Sequence, residues 1–298
     1  MSMKRDINLK TLCRALSLEA AGPDCQIDGL FLAARKTFYR STLAYAAAYR
    51  WITPLFAHEE VKAIVASPAD FGNLPVAERS RKSWILSEKP EKTFYDIHDY
   101  LIDYTDFYEK FDFEPQIGEG CKIHPSAVIE RGVKIGARVV VGANAVIRPG
   151  TVIGNDCEIC SAAVIGDDGF QVLRIDGVNR KIRHCGGVKI GNDVSIGAHT
   201  VVHRSLFEGA TVIGDHAKLD TLIYVGHNCL IGENAVITSG AILCGSTTVR
   251  ANAWVAPNAS VLNKVVIGEN AMVGMGSVVT RDVQEGTVVY GAPAKPRK

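Results

Sequence analysis

The stretch that decides the fold runs from Ile213 to Val279 and reads IGDHAKLDTLIYVGHNCLIGENAVITSGAILCGSTTVRANAWVAPNASVLNKVVIGENAMVGMGSVV. Counting in sixes from Ile213 reaches an aliphatic residue at all twelve steps: Ile213, Leu219, Val225, Ile231, Ile237, Leu243, Val249, Val255, Val261, Ile267, Val273 and Val279. An α-helix cannot keep a six-residue period on one face, and a flat strand would give a period of two. The repeat therefore predicts a stacked β-solenoid with one branched side chain per edge pointing inward.

The same count extends toward the N-terminus and gives twenty-four hexads in all. The upstream positions are Ile117, Ile123, Ile129, Ile135, Val141, Ile147, Ile153, Ile159 and Ile165, followed after an interruption by Ile190, Ile196 and Val202. Two segments leave the count: residues 166–189, and residues 203–211, where the phase slips by one residue. Loops held on a rigid scaffold often carry function, so both are candidates for substrate contact. The alternative is simple tolerance of insertion at a corner.

Bulk composition narrows the classes of function. A chain of 298 residues holds one large domain or two ordinary ones, and its net charge of +1 gives no electrostatic footprint for nucleic acid. The N-terminal MSMKRDINLK has no apolar segment behind it, so no signal peptide is predicted, and no run of eighteen apolar residues predicts a membrane span. Eight cysteines without a secretory context predict reduced thiols and a cytoplasmic protein.

Residues 1–112 lack the hexad pattern and predict a small α/β domain, which precedes a solenoid over residues 113–298. The predicted elements are a short helix capped by Asn8, strands around Ile27–Leu32, Val61–Ala66 and Trp84–Leu86, a helix over Ser41–Trp51, and an amphipathic helix over Pro90–Phe111. The tail after Val279 contains Pro293 and Pro296, which predict a loop rather than a paired strand.

One histidine of the solenoid is placed for proton transfer. His227 lies two residues after the inward Val225, so its ring is predicted to point outward. Gly245 follows eighteen residues later and is predicted to stack beside it. A neutral imidazole accepts a proton from an attacking amine, and a bare backbone N–H stabilises a developing oxyanion. On spacing alone, His227 is equally explained as a polar residue of an exposed face.

The stretches VIGDDGF, LDTLIYVGHNCLIGENAVITSGAILCGS and ASVLN resemble the hexapeptide-repeat acyltransferases, and among them the N-acyltransferases of lipid A synthesis that act on UDP-3-O-acyl-glucosamine. The resemblance implies a mainly β fold, a left-handed parallel β-helix of about eight coils, beside an N-terminal α/β domain that binds a nucleotide-sugar. It also implies a homotrimer with active sites between subunits. By this resemblance His227 is the general base, the Gly245 amide holds the oxyanion, and the Asp168-Gly169-Phe170 loop borders the site.

The resemblance implies three further substrate contacts: Tyr49, Asp220 and Asn263. Where the family's uridine-binding segment reads Asn-Pro-Lys-Tyr, this chain reads Ala46-Ala-Ala-Tyr49, which puts recognition of uracil in question. The family's second active-site histidine falls near Lys264, where this chain has none. Asp220 matches an Asp of the family and is predicted to orient His227 or bind the sugar. Alternatively, counting one coil back pairs it with His203 at the surface.

The C-terminal sequence resembles small hexapeptide acetyltransferases whose GSVVT-x-DV and G-x-PAK segments line the coenzyme A groove. That resemblance assigns Gly276, Arg281 and Lys295 to the cofactor, with acyl-CoA as a co-substrate and no tightly bound cofactor. The family's helical extension, which docks acyl carrier protein, is not matched before Lys298.

These features predict an N-acyltransferase that moves a short acyl group, acetyl or 3-hydroxyacyl, from acyl-CoA to a nucleotide-linked amino dideoxy sugar for surface polysaccharide. One alternative is UDP-3-O-(3-hydroxyacyl)glucosamine N-acyltransferase using acyl carrier protein. A second is a non-catalytic scaffold. His199 and His203 also suggest a metal-dependent function, since γ-class carbonic anhydrases share this type of solenoid and bind their metal through histidines. Their spacing of four on β structure does not predict a metal site.

Overall fold

The computed structural model of the protein describes residues 6–32, 39–207 and 209–296. The chain forms two compact units, one of Met1–Glu109 with Val172–Ile182 and the other of Lys110–Gln171 with Arg183–Lys298. The boundary lies at Glu109, and part of the first excursion from the hexad count belongs to the N-terminal unit. No described helix has the length and hydropathy needed to span a bilayer.

The second unit is a parallel β-helix with three faces. The strands of the first face are Gln116–Ile117, Lys134–Ile135, Thr151–Ile153, Gly187–Ile190, Ala210–Ile213, Leu230–Ile231, Thr248–Val249 and Val266–Ile267. The second face contains Lys122–Ile123, Val140–Val141, Glu158–Ile159, Ser195–Ile196, Lys218–Leu219, Val236–Ile237, Trp254–Val255, Met272–Val273, Val288–Tyr290 and Lys295–Pro296. The third contains Val128–Ile129, Val146–Ile147, Val164–Asp167, Val201–His203, Tyr224–Val225, Ile242–Leu243, Ser260–Val261 and Val278–Val279.

The hexad residues form the core of this unit. Up to Val261, each pairs with the hexad residue of the next coil, so that Leu219 lies beside Ile237 and Ile237 beside Val255. Most are buried completely, while the preceding residue of each two-residue strand faces outward. Turns of left-handed backbone conformation join the faces, and Asn234 and Asn252 occupy two of them because asparagine tolerates positive φ.

The excursions do not break the stack. Where the coils are regular, paired residues lie eighteen apart, as Leu219 and Ile237 do. Across the second excursion the pairing joins Ile196 to Leu219, twenty-three residues apart. The segment therefore adds residues at one corner rather than removing one, and the core resumes unchanged beyond it.

The first unit has a five-stranded sheet in the order Glu19–Ala21, Ser83–Leu86, Val61–Ala66, Thr42–Tyr45, Gly29–Leu30, parallel except for the first strand, which pairs antiparallel. Its other strands are Ile7–Asn8 with Gln26–Ile27, and the hairpin Val172–Ile175 with Val178–Lys181. Its helices are Leu9–Ala15, Ile52–Phe56, Pro68–Gly72, Val76–Arg79 and Pro90–Tyr104, with a 3₁₀ turn at Tyr49–Trp51. Asn8 caps the first helix by accepting the Thr11 N–H, as predicted.

The amphipathic helix predicted over Pro90–Phe111 ends at Tyr104, and two further sequence predictions are wrong here. Ser41–Trp51 was expected to be helical, but Thr42–Tyr45 is a central strand in which Leu43 and Ala44 are buried. Burial between two parallel neighbours outweighs the helix propensity of alanine. The tail was expected to be a loop, but Lys295–Pro296 pairs antiparallel with Val288–Tyr290 at the end of the second face. Proline is accepted there because an edge strand leaves one side of its backbone unpaired.

The inward and outward positions of one strand provide a stability test. Ile231 is 2% exposed and its neighbour Leu230 is 46% exposed. We expect Ile231→Ala to lower the free energy of unfolding by about 2–5 kcal/mol, because it leaves a cavity in the stack. The matched Leu230→Ala change is expected to cost only about 0.5 kcal/mol. Chemical denaturation of the three proteins measures both, and equal losses would contradict the inward assignment of Ile231.

Candidate active site

One corner of the β-helix contains both excursions from the hexad count and the predicted base. We call the turns that lead from a third-face strand to the next first-face strand the third corner. The first excursion leaves after Asp167 and rejoins at Gly187, and the second leaves after His203 and rejoins at Ala210. His227 is at the same corner of the following coil. Two loops and the predicted base therefore lie on successive coils along one edge.

His227 lies directly against Gly245 on the next coil. A Cβ atom added to Gly245 would stand 2.6 Å from His227 Nε2 and 2.7 Å from Cε1, closer than any real Cβ contact. The imidazole can therefore occupy this position only because Gly245 has no side chain. His227 is only 9% exposed, so the ring packs onto the coil rather than projecting into solvent. The adjacency predicted from the eighteen-residue spacing is confirmed.

The hydrogen bonds of Asn228 determine which nitrogen of His227 carries the proton. The Leu206 N–H donates to Asn228 Oδ1 at 3.0 Å, which identifies that atom as the amide oxygen. His227 Nδ1 lies 3.0 Å from the same oxygen. Since an amide oxygen only accepts, Nδ1 is the donor, and in the neutral ring Nε2 has the lone pair. The nitrogen beside Gly245 is therefore the basic one.

The backbone amide of Gly245 is available at this position. Among residues 6–32, 39–207 and 209–296, none accepts a hydrogen bond from the Gly245 N–H, whereas the Gly245 carbonyl accepts from the Lys264 N–H at 3.2 Å. The amide of a partly exposed glycine beside a basic nitrogen provides a proton acceptor and a hydrogen-bond donor within one small region. This pairing suits a reaction in which a nucleophile loses a proton while an oxygen gains negative charge.

Gly169, in the predicted Asp-Gly-Phe loop, contacts the His227 ring. A Cβ added to Gly169 would lie 2.9 Å from His227 Cδ2 and 2.8 Å from His184 Nε2. Phe170, the next residue, is 78% exposed. The structure thus brings the loop and the predicted base together, and it adds His184, which the sequence analysis did not single out.

Partly buried charged groups hold the start of this loop. Arg204 donates from Nε to the Gly166 carbonyl at 2.7 Å, and its Nε lies 3.8 Å from Asp168 Oδ1. Burial lowers the pKa of the Arg204 guanidinium, and burial also lowers the pKa of His203, whose ring lies against Tyr224. Arg204 thus ties the start of the loop to the second excursion.

Two other predicted residues share the third corner. Asn263 is one coil beyond Gly245, and Arg281 follows on the next coil. Both are exposed. They extend the edge beyond His227 and Gly245, in the direction away from the two excursions.

Asp220 does not contribute to this corner, because the Tyr224–Val225 strand separates it from His227. Its carboxylate accepts from the Ser239 hydroxyl, and this hydrogen bond lowers the pKa of Asp220. Within one chain, the predicted role in orienting His227 is therefore wrong. The alternative His203–Asp220 pair is also wrong, because Asp220 stacks on Gly197, twenty-three residues earlier, across the coil that the second excursion lengthens.

The three residues predicted for coenzyme A do not share a corner. Gly276 is in the turn that leads from the second face to the third, and the Val278–Val279 strand separates it from Arg281. Lys295 is in the edge strand of the second face. Within one chain, Gly276, Arg281 and Lys295 therefore do not line a common groove.

In the first unit, Tyr49 begins the 3₁₀ turn after the Thr42–Tyr45 strand and is 41% exposed, whereas Ala46 is fully buried. A cleft of about 290 Å³ lies nearby, lined by Ala47, Lys89, Pro90, Glu91, Lys92, Arg174, Ile175 and Asp176. It includes the N-terminus of the Pro90–Tyr104 helix and the carboxyl end of a parallel strand, where open α/β sheets bind ligands.

Models of two repeat families match the solenoid. The bacterial transferase hexapeptide (six repeats) matches residues 114–149, 132–167 and 246–281, and the hexapeptide repeat of succinyl-transferase matches residues 222–257. These parts of the solenoid are therefore hexapeptide repeats. The resemblance to the hexapeptide-repeat acyltransferases is confirmed by these matches together with the relatives below.

Curated relatives are named UDP-3-O-acylglucosamine N-acyltransferase. The protein from Janthinobacterium sp. (strain Marseille) is 34% identical over 172 residues, which cover 58% of this chain and 44% of the relative. That from Wolinella succinogenes is 32% identical over 179 residues, 60% of this chain and 50% of the relative. The matches thus span half or less of the length of these relatives.

A solved structure shares the fold. The UDP-N-acetylglucosamine acyltransferase from Bacteroides fragilis 9343 superposes with a TM-score of 0.56 at 25% identity, covering 63% of this chain and 73% of that one. The Campylobacter jejuni acyltransferase of the same name gives a TM-score of 0.56 at 23% identity. The predicted fold class, a left-handed parallel β-helix beside a small N-terminal α/β region, is confirmed.

Proposed function

We propose that this protein is an N-acyltransferase that moves an acyl group from a thioester to the amino group of a UDP-linked glucosamine. The observation that carries the proposal is the basic Nε2 of His227 lying against the bare backbone of Gly245. The names of the curated relatives support the same reaction class. They favour UDP-3-O-acylglucosamine, the alternative acceptor in the sequence analysis, over an amino dideoxy sugar.

The reaction follows from these two groups. The amine nitrogen attacks the thioester carbonyl carbon while His227 Nε2 takes a proton from the amine. The carbonyl oxygen gains negative charge and accepts a hydrogen bond from the Gly245 N–H. Collapse of the intermediate forms the amide and breaks the carbon–sulfur bond, and the leaving thiolate takes the proton from His227. No covalent acyl-enzyme is formed, so no cysteine is required.

The nucleotide end of the acceptor is proposed to bind in the first unit. Its cleft lies at the N-terminus of a fifteen-residue helix and is lined by three basic and two acidic side chains: Lys89, Lys92, Arg174, Glu91 and Asp176. The helix N-terminus and the excess of basic groups suit phosphate groups. Tyr49 supplies an exposed aromatic ring for the base. Because Ala46 is buried where the family has asparagine, base recognition in this chain relies on other groups.

Assembly is proposed to be homotrimeric, with active sites between subunits. The outward residues of the third face form an almost wholly apolar column: Val128, Val146, Val164, Val201, Tyr224, Ile242, Ser260 and Val278. The outward residues of the first face include Lys134 and Lys189, and those of the second include Glu158. The other two faces mix charged and apolar outward residues, whereas a nearly continuous apolar column is typical of a protein–protein contact surface.

An acceptor and donor matrix tests the function. The donors are acetyl-CoA, a 3-hydroxyacyl-CoA and the same 3-hydroxyacyl group on acyl carrier protein. Each is incubated with UDP-3-O-acylglucosamine or a dTDP-linked 3-amino-dideoxyglucose, and the amide is detected by mass spectrometry. We expect amide formation on UDP-3-O-acylglucosamine. Comparison of the three donors shows whether the acyl group comes from coenzyme A or from acyl carrier protein. Transfer only to the dideoxy sugar would restore the first hypothesis of the sequence analysis. Absence of transfer in every combination would contradict the acyltransferase assignment.

A further inference from the structure

A second imidazole is buried beside His227. His184 is near the end of the first excursion and is 6% exposed. Its ring centroid lies 5.3 Å from that of His227, with the ring planes inclined at 66° in an edge-to-face arrangement. A histidine buried to this degree at the end of an irregular loop serves either to pack that loop or to support the site that it touches.

The contacts around His227 favour support of the site. On one side the ring meets Gly245, where a Cβ would stand 2.6 Å from Nε2. On another side it meets Gly169, where a Cβ would stand 2.9 Å from Cδ2. His184 contacts both the His227 ring and Gly169. The hydrogen bond to Asn228 holds the Nδ1 end of the ring.

We propose that His184 is a positioning residue that holds the His227 ring against Gly245. The inference rests on the proposed role of His227 as the base. Aromatic rings that meet edge to face gain energy from their complementary charge distributions, and the contact needs an aromatic ring rather than a particular nitrogen. His184 Nε2 lies beside Gly169, whereas the nitrogen beside Gly245 belongs to His227. His184 therefore acts through His227 and not on the substrate.

Two variants separate positioning from proton transfer by His184. We expect His184→Ala to lower kcat by about 10- to 100-fold, because a base displaced by about 1 Å loses that much rate. KM for the acceptor is expected to stay within about twofold of the wild type, since His184 makes no proposed substrate contact. His184→Phe, which keeps an aromatic edge, is expected to recover most of kcat. His124→Ala, an exposed histidine at another corner, is the matched control and is expected to leave both constants unchanged.

Each outcome supports or excludes the positioning role of His184. If His184→Phe is as slow as His184→Ala, the nitrogens matter and the positioning role is wrong. It is also wrong if His184→Ala keeps the wild-type kcat. A crystal structure of His184→Ala adds a readout independent of activity, in which the His227 ring is expected to have left Gly245; an unmoved ring overturns the inference. If the wild-type protein transfers no acyl group at all, the proposed function fails, while the crystal structure still decides whether His184 positions His227.

Discussion

His227→Ala is expected to lower kcat for amide formation by about 10²- to 10⁴-fold, the range for loss of a positioned general base. The amine must then lose its proton to water, while the Gly245 amide still receives the oxyanion. Acceptor KM is expected to change little, because His227 acts on the proton in the transition state. Steady-state kinetics with the donor and acceptor from the matrix above measure both constants.

The control for this variant is His124→Ala, which removes an exposed histidine from a different corner. Both proteins are compared with the wild type by thermal melting, so that a folding defect is not mistaken for loss of the base. A folded His227→Ala protein with the wild-type kcat would exclude His227 as the base. It would favour the non-catalytic scaffold.

Gly245→Ala has the second-largest expected effect, a loss of about 10²- to 10³-fold in kcat. A methyl group at this position would stand 2.6 Å from His227 Nε2, so the imidazole has to rotate away. The same methyl group covers the amide that is proposed to hold the oxyanion. Gly72→Ala provides the matched glycine control, because a Cβ at Gly72 would meet nothing within 4 Å.

A double-mutant cycle shows whether Gly245 acts through His227. If most of the loss comes from displacing the base, His227→Ala combined with Gly245→Ala is expected to be little slower than His227→Ala alone. Losses that simply multiply would mean that the methyl group acts on the oxyanion and not on the base. A Gly245→Ala protein with the activity of the wild type would contradict the proposed geometry altogether.

The sequence determined the solenoid because each coil packs only on the coils directly before and after it, which lie at a fixed spacing in sequence. An aliphatic residue at every sixth position forces the same inward packing on each coil, and eighteen residues then separate stacked neighbours such as His227 and Gly245. Local signals were equally direct in the first unit, where Asn8 caps a helix and Pro90 begins the longest one. These features depend on residues close in sequence or at a fixed spacing.

Only the tertiary structure decided what the irregular segments do. The hexad count takes no account of how many residues an excursion adds, so it misplaced His203 beside Asp220. It also gave no position for His184, because no period crosses the first excursion. Burial between neighbours made Thr42–Tyr45 a strand against its local preference. The physical reason is the same in each case: contacts between residues distant in sequence, and not local pattern, set the position of these residues.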